Sequence, residues 1–219
     1  MHAVAGKLRL HLGSGSTFVP GWENLDKSWN VHLSRLPQLR RVLAQARILT
    51  EEQASAVLPR GTIRADIRRG LDYPDGSAAY VYASHLIEHM SRWQGLRLLR
   101  ECHRVLEPGG VIRLATPDLA LAVAEYAAGE APHGPTAADS FMQQLETHRE
   151  IEGTRAQRVI RKFVFAPHQW LYDEESLALL LTEAGFDDPR RCEYRSGAVP
   201  DLEQLEHRPG SLFMEATRP

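Results

Sequence analysis

Cysteine is scarce in this chain. Cys102 and Cys192 are the only two in 219 residues, and their spacing fits neither a metal-binding pair nor a redox pair. A disulfide framework is excluded as the basis of the fold, and a reducing compartment is expected. No sign of charge dominates: 26 Lys and Arg stand against 28 Asp and Glu, a formal net charge of -2. No global field therefore draws the protein to nucleic acid or to anionic membrane. Long apolar runs are also missing, since none approaches the roughly 20 residues that cross a bilayer. The first residues, Met1-His2-Ala3-Val4-Ala5-Gly6-Lys7, lack the apolar stretch of a secretion signal. There is no internal repeat and no low-complexity tract. These absences point to a soluble, cytoplasmic protein with no membrane partner and little affinity for long nucleic acids.

What remains is an ordinary globular composition, 43% hydrophobic and 25% charged, at a length suited to one sizeable α/β domain. Lys7 to Leu12 alternates polar with aliphatic residues and runs into Gly13-Ser14-Gly15, which reads as a strand ending in a tight loop. Trp22 to Asp26, Thr62 to Ile67, Ala79 to Ser84 and Val111 to Ala115 are further strand candidates. Between them lie helical patterns. One or two helices are expected over 33–58, and a clear one runs from Trp93 to Leu106 until Pro108-Gly109-Gly110 stops it. Asp118 is placed to cap a helix reaching Ala127. Helical stretches follow at 137–149 and 154–163, and an amphipathic helix runs from Asp173 to a Gly185 cap. Two strand-like runs, 188–196 and 211–217, close the chain with only a loop between them. Strands alternating with helices predict a mostly parallel sheet covered on both faces, and the final pair adds an antiparallel strand.

Four segments in this order resemble one family. They are Leu10-His11-Leu12-Gly13-Ser14-Gly15-Ser16, Ala65-Asp66-Ile67, Ala83-Ser84-His85-Leu86-Ile87-Glu88-His89-Met90, and Arg104-Val105-Leu106-Glu107-Pro108-Gly109-Gly110. Together they are similar to class I S-adenosylmethionine-dependent methyltransferases, and most of all to the group called type 11 domains. The resemblance covers about 7–118 well and 168–217 more loosely. It implies a Rossmann-like, doubly wound, seven-stranded sheet, mostly parallel with an antiparallel last strand and helices on both faces. It also implies one domain over 1–219, with helical insertions at about 33–60 and 119–167, the second a lid over the substrate.

The cofactor implied is S-adenosyl-L-methionine, bound outside the carboxyl ends of the strands. Gly13 and Gly15, with Ser14 between them, let the backbone approach it without a Cβ in the way. Asp26 ends the second strand, where a carboxylate accepts both ribose hydroxyls. Asp66 and Ile67 would meet the adenine, one accepting from its amine and the other covering the ring. Ser84 and His85 would lie near the methionine and the transferred methyl. Two residues before the first glycine the family carries a carboxylate toward the cofactor's amino group; here that place is His11, and Ser16 replaces a third glycine. Each of these residues also has a plain structural reading as a turn or a cap. A nicotinamide fingerprint fits less well, because its third glycine would fall at Phe18 and Asp26 comes too early for its ribose acid.

Methyl transfer needs an aligned nucleophile and a group to take its proton. His85, His168 and Tyr172 are the catalytic candidates. The acceptor expected is a small molecule or a carbohydrate, methylated at oxygen. A peptide or protein acceptor, or a non-catalytic partner that keeps the fold, stays open. His85, Glu88 and His89 would share a helical face if a helix began at His85, a spacing that suits a divalent metal with His168 as a fourth ligand. The same pair also serves simply to fasten loop to helix, and no metal is assigned. Arg155, Arg158, Arg161 and Lys162 crowd two helical turns, and Arg35, Arg40, Arg41 and Arg47 mark the earlier insertion, where a homodimer contact is an alternative.

Overall fold

The computed structural model describes residues 7–27, 59–147 and 167–219, with isolated helical positions at 38, 41, 42 and 45. Most of the first expected insertion and residues 148–166 of the second, with Trp29, Arg35, Arg40, Arg47 and the cluster from Arg155 to Lys162, lie outside the described residues. Strands β1 (Leu8–Leu12), β2 (Glu23–Asp26), β3 (Ile63–Arg64), β4 (Ala78–Ser84), β5 (Leu106–Pro117), β6 (Asp187–Cys192) and β7 (Ser211–Thr217) form a single sheet. Its order is β3-β2-β1-β4-β5-β7-β6. Every pairing from β3 to β5 is parallel, and β7 alone runs against its neighbours β5 and β6. The expected architecture is therefore the observed one. The reversal of order between β1 and β4 opens a crevice at their carboxyl ends, where open α/β sheets bind ligands.

Central strands are buried on both faces, which is why β4 reads Ala-Ala-Tyr-Val-Tyr-Ala-Ser with scarcely a polar residue. Alternation along it divides the core in two. Val81 and Ala83 join the larger cluster with Leu10, Leu12, Ile112 and Leu114, while Tyr82 joins Val19, Trp22, Val199, Leu202 and Leu205 on the other side. Helices α1 (Arg92–Val105) and α4 (Glu174–Ala184) cover the first face with Leu99, Cys102, Leu177 and Leu181. The four-residue helix α5 (Leu202–Leu205) covers the second. Asp201, just before it, accepts from Arg9 Nη1 at 2.8 Å and from Trp22 Nε1 at 3.0 Å, tying α5 to the strand layer.

Local signals explain the element ends. Ser91 and Gln94 form a reciprocal capping box at the start of α1, and Asp173 with Ser176 does the same for α4. Asp118 accepts from the backbone N–H of Ala120 and Leu121, opening α2 (Leu119–Ala127) as expected. Helix α3 (Ala137–Leu145) packs beside α2. Gly110 admits no side chain, because a Cβ there would lie 2.8 Å from the carbonyl oxygen of Glu107.

Three expectations change. The strand expected over Thr62 to Ile67 shrinks to two residues, since Asp66 begins a 3-10 turn at Ile67–Arg69. No helix begins at His85; a 3-10 turn at Ile87–His89 follows it and α1 starts at Arg92. The final strand pair encloses α5, which no periodicity announced because four residues are too few to show one.

Candidate active site

The loop after β1 turns on two left-handed glycines, Gly13 at φ 67° and Gly15 at φ 53°. Ser14 donates its backbone N–H to Leu25 O at 3.0 Å, and Gly15 donates to Asp26 Oδ2 at 2.9 Å, so the ends of β1 and β2 are clasped together. A Cβ at Gly15 would meet nothing within 4 Å, whereas one at Gly13 would press on Leu86 Cδ1 at 3.0 Å. Ser14 Oγ is buried with no hydrogen-bond partner among the described residues. A cleft of about 370 Å³ opens here, lined by His11, Gly13, Ser14, Gly15, Ser84 and His85, and by His207 and Arg208 from the far end of the chain.

His11 sits on β1 with 2% of its surface exposed. Its Nδ1 lies 3.1 Å from Asn24 Oδ1. The amide of Asn24 is fixed, because its Nδ2 donates to the carbonyls of Val19 and Trp22 while its Oδ1 accepts from Val19 N–H. Oδ1 can only accept, so Nδ1 carries the proton and Nε2 keeps a lone pair. Burial pushes the His11 pKa down to about 4; the Asn24 contact opposes the shift and the nearby His207 adds to it. The ring is neutral near pH 7.

His85 follows β4 in a left-handed conformation, φ 48°, uncommon for a residue with a side chain. Its N–H donates to Ala115 O at 2.8 Å, which locks the turn against β5. Nε2 lies 3.0 Å from Ser211 Oγ at the start of β7. Nδ1 lies 3.1 Å from Oε1 of Glu88, whose side chain is fully buried. That approach is off the line of a hydrogen bond, and both Glu88 oxygens lack a hydrogen-bond partner among the described residues. A second cavity, of about 500 Å³, lies beyond His85. Asp118, Glu125, His133 and Gln144 supply its polar wall, Leu119, Leu121, Leu145 and Leu171 its apolar wall, and Ser211, His207 and Arg208 its border. The two spaces share His85, His207 and Arg208.

Other expected site residues stand apart. Both Asp66 oxygens are held by Arg68, at 3.0 and 3.1 Å, and this contact first of all lowers the carboxyl's pKa. Ile67 is buried in the larger core cluster. Neither lines the cleft beside the glycine loop. Tyr172 is fully buried in the same core, its hydroxyl without a hydrogen-bond partner among the described residues, and burial raises its pKa to about 12. His168 lies under the site, its ring centroid 4.8 Å from that of His89, and lines neither space. The structure thus gathers His11, Gly13, Ser14, Gly15, Ser84 and His85, hangs Asp26 on the loop, and leaves four candidates outside. His207, Arg208 and Ser211 were not foreseen. The one signal near them is Pro209-Gly210, which marks the turn into the last strand but not what that turn meets.

A family described as a methyltransferase domain matches residues 28–188. A Mycolicibacterium smegmatis protein named "Probable S-adenosylmethionine-dependent methyltransferase/" is 42% identical over 59 residues. That match takes in 25% of this chain and 22% of the relative, so the chain spans under a quarter of that protein's length. Among solved structures, the S-adenosylmethionine-dependent methyltransferase SibL in its apo form aligns over 97% of this chain and 50% of its own, at TM-score 0.51 and 20% identity. A methyltransferase of the same dependence from Thermotoga maritima aligns over 99% and 84%, at TM-score 0.50 and 13% identity. At these identities the structures speak for the fold.

Proposed function

The chain belongs to the methyltransferase-domain family, and from that premise we propose that it moves a methyl group from S-adenosylmethionine to an oxygen of a small-molecule or carbohydrate acceptor. The observation that carries this reading is the meeting of two cavities at His85. One is floored by the glycine loop and the other is walled by leucines and hydroxyl-binding groups. The glycine cleft suits the cofactor by its own geometry: open space above Gly15 and a buried Ser14 hydroxyl with no hydrogen-bond partner among the described residues. When bound there, the cofactor supplies an electrophilic methyl on a sulfonium.

The protein's own residues do the rest. Gly13 to Gly15 offer backbone at close range, and Asp26 at the end of β2 holds ribose hydroxyls. His11 presents the Nε2 lone pair to the ammonium of the cofactor's amino acid, a neutral acceptor standing where relatives use a carboxylate. In the second cavity, Asp118, Glu125 and Gln144 orient a hydroxyl-bearing acceptor, and the leucines exclude water. His85 accepts the acceptor's proton at Nε2, the atom now occupied by Ser211 Oγ, while Glu88 backs Nδ1. No contact is assigned to Asp66, Ile67 or Tyr172.

Calorimetric titration tests the cofactor half. S-adenosylmethionine and its demethylated product are expected to bind with one site, Gly15→Val to weaken both by at least about tenfold, and NAD not to bind. Failure of both sulfur ligands to bind removes the reading. With an acceptor in hand, His85→Gln is expected to slow turnover about 10²- to 10⁴-fold while cofactor affinity stays within a few-fold.

A further inference from the structure

Glu88, His89 and His168 each place a ligand atom within 4.8 Å of the other two. Polar groups this deep are ordinarily hydrogen-bonded, and three atoms of this cluster are not, although Glu88 Oε1 lies 3.1 Å from His85 Nδ1. Among the described residues, both oxygens of the fully buried Glu88 and the buried Nδ1 of His89 have no hydrogen-bond partner. His168 is already arranged as a ligand. Its Nδ1 lies 2.9 Å from the carbonyl oxygen of Leu145, which can only accept, so Nδ1 carries the proton and Nε2 keeps a lone pair, with Glu146 Oε2 its acidic neighbour at 3.9 Å. A ring nitrogen bound to a backbone carbonyl, with the other nitrogen free, is the usual posture of a metal-bound imidazole. The backbone holds the pieces in place: Gln169 and Trp170 donate to Glu88 O at 2.7 and 3.2 Å, and Gln169 Nε2 donates to His89 O at 2.9 Å.

We propose that Glu88, His89 and His168 bind one divalent transition-metal ion, zinc or a first-row neighbour, which fastens the return of the chain at His168 to the turn below His85. Two imidazoles and one carboxyl group suit such an ion, and oxygen-seeking calcium or magnesium would choose another donor set. The ion satisfies the orphaned atoms, and its binding does not depend on the methyl-transfer reading. Its second effect rests on that reading: by fixing Glu88 it fixes the carboxyl oxygen 3.1 Å from His85 Nδ1. The metal and its ligands are in this sense positioning groups, since none of them lines the two cavities.

The test uses the full chain, stripped with a chelator and dialysed. Zinc added back is expected to reach one equivalent per chain by elemental analysis and to raise the melting temperature by about 4 °C or more. Cobalt in its place is expected to give visible absorption bands of a low-symmetry site with nitrogen and oxygen donors. His89→Ala and His168→Ala are each expected to lose both signals. His133→Ala, on the cavity wall away from the cluster, is expected to keep them. If a variant fails to fold, circular dichroism shows it, and the wild-type stoichiometry and cobalt spectrum still decide. Wild-type protein that binds no zinc, or binds it equally in both ligand variants, overturns the proposal. Titration of S-adenosylmethionine into the stripped protein runs alongside, so loss of the metal site and loss of the cofactor reading are told apart.

Discussion

His11 shows how burial sets the chemistry of a single residue. Because it is sealed on β1, it stays neutral to about pH 4, whereas an exposed imidazole in the unfolded chain protonates near pH 6.5. Between those values the unfolded state binds the extra proton, so stability rises with pH through the window and is lost as pH falls through it. The difference is about 3 kcal/mol over the whole window. Urea titrations from pH 4 to 7 are expected to show a steeper slope for the wild type than for His11→Gln; equal slopes would mean the ring is hydrated in solution. Chain order revealed His11 as the residue two places before Gly13, but not its tautomer. That depends on Asn24, whose amide is oriented by a turn that no local pattern predicts. His85 has the same character. Its place after a buried strand was readable, while its left-handed backbone and its partners on β7 and the turn at Ile87–His89 exist only after folding.

At the scale of elements, the strong local signals held. Asp118 illustrates one that carries a further load. It caps α2 through two backbone N–H groups, pairs with Arg191 Nη2 at 2.8 Å, and bridges to the strand-like segment at Tyr172. Asp118→Ala is expected to cost about 1–2 kcal/mol of stability and Asp118→Asn less, since the amide oxygen still caps. Chemical denaturation measures both. The weak element is β3, an edge strand of two exposed residues. Strand propensity over Thr62 to Ile67 was overruled there by local contacts: Arg69 donates its N–H to Asp66 O at 2.9 Å, which makes a turn instead of a ladder, and the Arg68 guanidinium closes on the Asp66 carboxylate. The same contact occupies the carboxylate that the family pattern assigns to adenine. Motif position was legible; which partner a charged side chain prefers was not.

The molecule as a whole is stitched by charge where β5 meets β7. Arg113 is fully buried, with Glu206 Oε1 at 2.5 Å, Glu215 Oε1 at 3.1 Å, and the carbonyls of Ser196 and Glu193 both at 2.9 Å. Arg190 reaches the other oxygen of Glu215 at 3.0 Å. Every member is satisfied, and the network holds Glu206 one residue before the pair that borders both cavities. Arg113→Met leaves buried Glu206 without its cation and Glu215 with Arg190 alone, and is expected to lower stability by about 3–5 kcal/mol in urea unfolding. Arg113→Met/Glu206→Met is expected to lose less than the single variant, because one of those groups goes with it. A double variant weaker than the single would show that the arginine's carbonyl bonds, and not its charge, dominate.

His85, His207 and Arg208 wall both spaces at once. Two guests that press on one wall exert a mutual influence on each other's affinity, and thermodynamic reciprocity makes the factor the same in both directions. The unidentified acceptor can therefore be sought without any turnover. On the proposed assignment of cofactor and acceptor to these spaces, a compound that occupies the larger one is expected to change the dissociation constant of the demethylated cofactor, and a library can be ranked by that change alone.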